Sequence, residues 1–179
     1  MGAVKKAAAI SGPAPLAEAH QLDSFRCSKP ELEVWLKQRA RRNQLEGASR
    51  TFVVCVNNEV VGYYTLSAGA VLHETVPGNI RRKMPEPIPV VVLGRLAVHS
   101  DWNAQCVGAG LLKDAVLRTA KLAEEMGIRA LLCHAIDESA KEFYLHHGFI
   151  ESPIEPLMVM LNIARIAKGL KLVPIGNKR

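Results

Sequence analysis

A chain of 179 residues, 49% hydrophobic and 22% charged, carries enough apolar side chains to bury the core of one domain. It has no run of the roughly 20 apolar residues that span a bilayer and no apolar signal core near its start, and its four cysteines (27, 55, 106 and 133) lack any CxxC spacing, so membrane, zinc and disulfide-framework classes are set aside and free thiols in the cytoplasm are expected. The net charge of +6 suits a polyanionic partner such as RNA, and suits plain solubility equally.

Residues 1–14, small, polar and interrupted by proline, read as a loose leader. His20 to Arg26 forms a short element in which His20 is a surface or satisfied core histidine. Ser28-Lys29-Pro30-Glu31 has capping-box spacing with proline in the first turn, so a helix starts there and runs to Gly47. Leu32, Trp35 and Leu36 are its apolar stripe. Lys37, Arg39, Arg41 and Arg42 charge its other faces, which serve as phosphate contacts or as a solvated surface.

Thr51 to Val56 and Val60 to Leu66 flank Asn57-Asn58-Glu59 and read as a β-hairpin. Tyr63 and Tyr64 point to opposite faces of its second strand, one toward the core and the other toward a groove. Residues 73–89 form a proline-rich loop carrying Arg81, Arg82 and Lys83, whose side chains match phosphate oxygens.

The most informative stretch is Val90 to Leu112. The apolar run Ile88 to Val98 reads as a strand buried on both faces. Arg95 interrupts it and must face a substrate groove or pair with an acid, because an unpaired buried charge is costly. Gly94 marks a bulge that splays this strand from the next one, Arg129 to Ile136. A polar turn, Ser100 to Gln105, then leads into an amphipathic helix, Val107 to Met126, ended by Gly127, with Gly108 and Gly110 at its mouth. The first amides of a helix have no internal partner and sit at the positive end of its dipole, so this turn is either an anion cradle or an ordinary glycine turn. Asp137 caps a short helix, Glu138 to His147, stopped by Gly148. Phe149 and the Ser152 to Pro156 turn precede a strand at Leu157 to Leu161, and a short amphipathic piece with a basic end closes the chain.

Several motifs in one order carry a resemblance. GRLAV, an x-Gly-x-x-Leu-Leu helix start and AKEFYLHHGF together resemble the acetyl-CoA core of the GNAT acetyltransferases. More narrowly, SRTFVV (49–54), VVGYYTLSAG (60–69), PGNIRRKMPEPIPVVVLGRLAV (77–98), IRALLCHAIDESAKEFYLHHGF (128–149) and SPIEP (152–156) are similar to GNAT-fold toxins of toxin–antitoxin pairs, which acetylate the amino group of aminoacyl-tRNA. The resemblance implies an α/β (α+β) fold with a mixed, mostly antiparallel sheet flanked by helices. It implies one domain over residues 15–165 before a basic tail, 166–179. It further implies acetyl-CoA as cosubstrate, and as partners aminoacyl-tRNA, a ribbon-helix-helix antitoxin and a second copy of the chain.

The family's pyrophosphate turn reads Gln/Arg-x-x-Gly-x-Gly, with a Leu-Leu pair after two further residues. Counting back from Leu111 and Leu112 lays it on Asn103, Ala104, Gln105, Cys106, Val107 and Gly108, with Ala109 following. A second frame, Gln105-x-x-Gly108-x-Gly110, fits the letters but not the spacing to the leucines. In the first frame Cys106 replaces a glycine. At positive φ it would strain the turn and weaken acetyl-CoA binding; at negative φ a small thiol is tolerated. Backbone N–H groups of Leu96, Ala97 and Val98 are placed to polarise the thioester carbonyl. Tyr144 takes the Phe-Tyr position that serves as general acid in the family. His146 and His147 are base candidates by type, of which at most one can serve, and a water relay would also suffice. No metal-ligand spacing is present. Two alternatives stay open: an acetyltransferase acting on a small amine or protein N-terminus, which would not need Arg81, Arg82 and Lys83, and a non-catalytic RNA- or antitoxin-binding module.

Overall fold

The computed structural model describes residues 9–166. Residues 1–8 and 167–179, which hold most of the expected leader and nearly all of the basic tail, lie outside the described residues. Among those described, seven strands form one sheet in the order β1-β2-β3-β4-β5-β7-β6. They are β1 (Ala14–Pro15), β2 (Arg50–Val56), β3 (Glu59–Val71), β4 (Ile88–Val98), β5 (Ala130–His134), β6 (Ile150–Glu151) and β7 (Met158–Asn162). β4 and β5 run parallel, whereas β1/β2, β2/β3, β5/β7 and β6/β7 are antiparallel. The helices are α1 (Pro30–Gln38), α2 (Ala40–Leu45), α3 (Gly78–Arg81), α4 (Val107–Leu122) and α5 (Glu138–His146). The mixed, mostly antiparallel sheet with helices is the architecture expected.

Local chemistry explains where the elements differ from expectation. Lys29, which precedes a proline, is held in extended backbone (φ −113, ψ 98), so the first helix starts at Pro30 and Ser28 lies too early to cap it. Arg39 (φ −120) leaves helical geometry and breaks the expected single helix into α1 and α2; Gly47, at φ +75, terminates the second. Asn57 and Asn58 both take left-handed backbone (φ 50 and 66), which makes the β2–β3 connection a two-residue turn and brings Glu59 into the strand. Within the expected leader, Ser11 exchanges hydrogen bonds with the Cys55 backbone and Ala14 opens β1. α4 stops at Leu122 because Glu124 and Glu125 bond back three residues rather than four.

The chain clusters into two compact units, one formed by the described residues through Ser67 with Gly94–Ala115, the other by Ala68–Leu93 with the described residues from Val116 onward. In the first, Phe25, Trp35, Leu36, Val53, Val60 and Tyr63 make the core. In the second, Val76, Ile80, Ile88, Val90, Leu132 and Met160 do so. Tyr63 and Tyr64 do point to opposite faces, yet both are fully buried, which corrects the expectation that one lines a groove. Tyr63 stacks on Trp35 and donates to the Leu32 carbonyl, while Tyr64 stacks on Phe52 and donates to Asp114. Each hydroxyl reaches a partner, so burial of two phenols costs little.

Candidate functional site

In the first unit, β4 delivers the chain into the turn. Ala97 is buried, Leu96 and Val98 are half-buried, and Asn103, Ala104, Gln105 and Cys106 are exposed. The turn is a 3-10 helix, Ser100–Gln105, that ends at Cys106 with φ 55 and ψ 23. That settles the sign of φ left open by the sequence: a β-carbon sits at a left-handed position that favours glycine. The Gly110 amide bonds to the Cys106 carbonyl at 3.1 Å, which is the first α-helical bond of α4. The amides of Val107, Gly108 and Ala109 therefore lie ahead of the helix's own ladder, at the positive end of its dipole.

His99 fastens this turn. Its backbone N–H donates to the Val61 carbonyl (2.8 Å), its Nδ1 accepts from the Asp101 amide (3.1 Å), and its Nε2 lies 3.1 Å from the Ser24 carbonyl, so the hydrogen sits on Nε2. Ser100 donates its amide to the Arg26 carbonyl (2.9 Å). Against β3, Gly62 admits α4 closely: a β-carbon there would meet Leu111 Cδ1 and Val54 Cγ2 at 3.0 Å and Val107 Cγ1 at 3.1 Å. Gly94 serves a similar purpose, since its β-carbon would lie 2.9 Å from Thr65 Oγ1. The parallel ladder with β5 pairs Val90, Val91 and Val92 with Ala130, Leu131 and Leu132, and β4 continues to Val98.

In the second unit, Tyr144 sits on α5, whose start is fixed by Asp137 Oδ1 accepting from the Ala140 amide at 2.8 Å. Tyr144 is 5% exposed, wedged between Phe143 and Phe149. Burial, with the hydrogen-bonded Cys133 beside it, holds its phenol well above the ordinary value, so it keeps its proton. Burial likewise pushes the Cys133 thiol up to about 11. Both histidines are exposed; His147, which caps the C-terminal end of α5, has its Nδ1 2.7 Å from the Phe143 carbonyl.

The cations named from sequence fall into three groups. Arg81, Arg82 and Lys83 are adjacent and exposed, at the end of α3 and the residues after it. Arg41 donates from Nη2 to the carbonyls of Ala17, Glu18 and His20, tying the N-terminal segment down, and Arg42 pairs with Glu46 at 2.9 Å in an exposed contact of little energetic weight. Arg95, half-buried, meets an aromatic face: its Cζ lies 4.2 Å from the Trp35 ring centroid, and partial burial lowers its pKa.

Residues 47–151 match the model of the acetyltransferase (GNAT) domain, more than half of the chain. The chain belongs to the GNAT acetyltransferase family. It is an acetyl-CoA-dependent N-acetyltransferase. This acetyltransferase is 42% identical over 151 residues to the tRNA-acetylating toxin of Mycobacterium tuberculosis (strain ATCC 25618 / H37Rv), covering 84% of this chain and 91% of the relative. Among solved structures, AtaT complexed with acetyl-methionyl-tRNAfMet matches with a TM-score of 0.84 at 25% identity, over 90% of this chain and 99% of the other. AtaTR bound with AcCoA matches with a TM-score of 0.77 at 26% identity, over 90% and 98%.

Two contacts in the acetyltransferase were not foreseen from sequence. His99 reads there as an ordinary residue after a strand, and the signal that could have found it is its place two residues before a turn amide. Cys133 lies inside a buried strand with no local cue that Tyr144, eleven positions on, returns to it.

Proposed function

We propose that this acetyltransferase is the toxin of a toxin–antitoxin pair, moving the acetyl group of acetyl-CoA to the amino group of aminoacyl-tRNA and so halting translation. The observation that carries this reading is the 42% identity to a tRNA-acetylating toxin across 84% of the chain. It works in the cytoplasm as a homodimer and is neutralised by a ribbon-helix-helix antitoxin.

The reaction assigns each residue a task. The amides at the start of α4, with Asn103, Gln105 and Cys106 ahead of them, cradle the pyrophosphate through unpartnered N–H groups and the helix dipole. Backbone N–H groups of Leu96 to Val98, past the end of the β5 ladder, polarise the thioester carbonyl. The neutral amine attacks the carbonyl carbon, a C–N bond forms, and the nitrogen's extra proton leaves to water. When the C–S bond breaks, the thiolate takes the Tyr144 proton, giving amide and free thiol. Arg81, Arg82 and Lys83 hold the tRNA backbone, because three adjacent exposed cations suit phosphates; the exposed Arg42, only weakly paired with Glu46, adds a further cation, while Arg41 is tied to backbone carbonyls and Arg95 stacks on Trp35.

The reading is tested by mass spectrometry of a total charged-tRNA pool incubated with acetyl-CoA and either this chain or its Cys106→Gly variant. Acetylation by both is expected, faster with the variant. Acetyl-CoA binding without any tRNA acetylation would move the substrate to a small amine or protein N-terminus, and no acetyl-CoA binding by either would leave a non-catalytic module.

A further inference from the structure

The four-residue helix α3 is too short to hold itself. One turn forms too few bonds to offset its nucleation cost, and the carbonyls at its C-terminal end have no partner further along the helix. Residues distant in sequence supply both needs. Ile80 is fully buried in the cluster of Ile88, Val90, Leu132 and Met160, which pins the helix to the sheet. Arg129, just before β5, donates from Nε to the Ile80 carbonyl at 2.9 Å and from Nη2 to the carbonyls of Asn79 (3.1 Å) and Arg82 (3.4 Å). Asn162, at the end of β7, gives Asn79 a second donor at 3.3 Å. On the other flank, His73 Nε2 lies 3.0 Å from both the Met84 and Pro85 carbonyls, and the His73 amide donates to Glu86 Oε1 at 2.9 Å.

The loop is therefore gripped on both sides, and its three cations project from the gripped backbone. Lys83 itself holds φ 60, a conformation that a non-glycine residue keeps only where its surroundings over-determine it. Because the oxygens of Asn79, Ile80 and Arg82 point at Arg129, the guanidinium also neutralises a cluster of carbonyl dipoles that would otherwise sit beside incoming phosphates.

We infer that Arg129 is a positioning residue for the polyanion-binding loop: it grips the backbone of residues 79–82 so that Arg81, Arg82 and Lys83 are set before tRNA arrives. This rests on the reading of that loop as the tRNA clamp. Pre-setting the loop removes its ordering cost from the binding step. The side chain acts through the loop and makes no phosphate contact of its own.

The test is steady-state acetylation of one purified charged tRNA by the full chain, by Arg129→Gln, by Arg129→Lys and by a triple variant with glutamine at 81, 82 and 83, each across a salt series. Arg129→Gln is expected to raise the tRNA KM about tenfold, with kcat and the acetyl-CoA KM held within about twofold. Arg129→Lys should share the defect, since it keeps the charge but not the planar fork that spans three carbonyls. The salt slope of the tRNA KM should stay at its original value in both, and flatten in the triple variant, because slope counts phosphate contacts. Rescue by lysine with a flattened slope in Arg129→Gln would make Arg129 a phosphate contact and overturn the positioning role. An unchanged tRNA KM in Arg129→Gln, alongside a raised one in the triple variant, overturns it too while leaving the clamp standing. An unchanged KM in the triple variant removes the clamp itself. If Arg129→Gln loses acetyl-CoA affinity, Asn162→Ala decides: it removes one bond to Asn79, and an unchanged tRNA KM there counts against the inference.

Discussion

At the scale of single residues, the left-handed Cys106 and the buried Tyr144 are where the proposed chemistry is most open to test. A non-glycine residue at φ 55 costs about 1–2 kcal/mol, and replacing it by glycine returns about 0.5–1 kcal/mol of that as unfolded-chain entropy. Stability should therefore change little in Cys106→Gly. The side chain's effect is to be sought in ligand approach, and removing it should tighten acetyl-CoA binding about fivefold, roughly 1 kcal/mol, in titration calorimetry. An unchanged Kd would confine Cys106 to a tolerated turn residue. Tyr144→Phe should lower kcat by about 10²–10⁴ and leave the acetyl-CoA KM in place. Burial raises the phenol above its ordinary 10.0, so the proton-bearing form persists through alkaline pH. Activity should consequently show no loss from Tyr144 ionisation between pH 7 and pH 10, and a pH–kcat profile falling well below pH 10 would have to arise from another group.

At the scale of elements, the decisive fit is α4 against β3 at Gly62. The three side-chain atoms that a β-carbon would meet at 3.0–3.1 Å come from α4 and from β2, so neither neighbour can yield alone. Gly62→Ala should cost about 1–3 kcal/mol in urea unfolding, as over-packing of a dense core does. Because Val107 begins α4, the same variant should also loosen acetyl-CoA. The sequence placed β4, the hairpin turn and α5 closely because each has a strong local signal: a valine-rich apolar run, an Asn-Asn turn, and an aspartate cap with a glycine stop; it cut β3 short at Leu66, whereas the strand runs on to Val71. It overran α1 and α4, since the Arg39 break and the early end at Leu122 depend on backbone bonds that no periodicity shows.

At the scale of the whole molecule, a formal charge of +6 and exposed cations at Arg81, Arg82 and Lys83 suit a polyanion, so the proposed tRNA reaction should respond to salt. The KM for charged tRNA should climb by on the order of tenfold to a hundredfold between 50 and 200 mM salt, measured at saturating acetyl-CoA, because condensed counterions oppose each phosphate contact. Equal salt sensitivity for a small amine acceptor would argue that the effect lies in catalysis. No helix among the described residues is long and apolar enough to cross a membrane.

The sequence by itself determined the strand, turn and helix start between Ile88 and Leu112, and the helix that bears Tyr144, because hydrophobic period, glycine and caps are local and legible along the chain. The tertiary structure alone decided the conformation of Cys106, the two buried tyrosines, the aromatic partner of Arg95 and the carbonyls that hold Arg41 and Arg129. Those depend on which distant backbone groups need a donor once the sheet has formed, and that demand exists only in three dimensions.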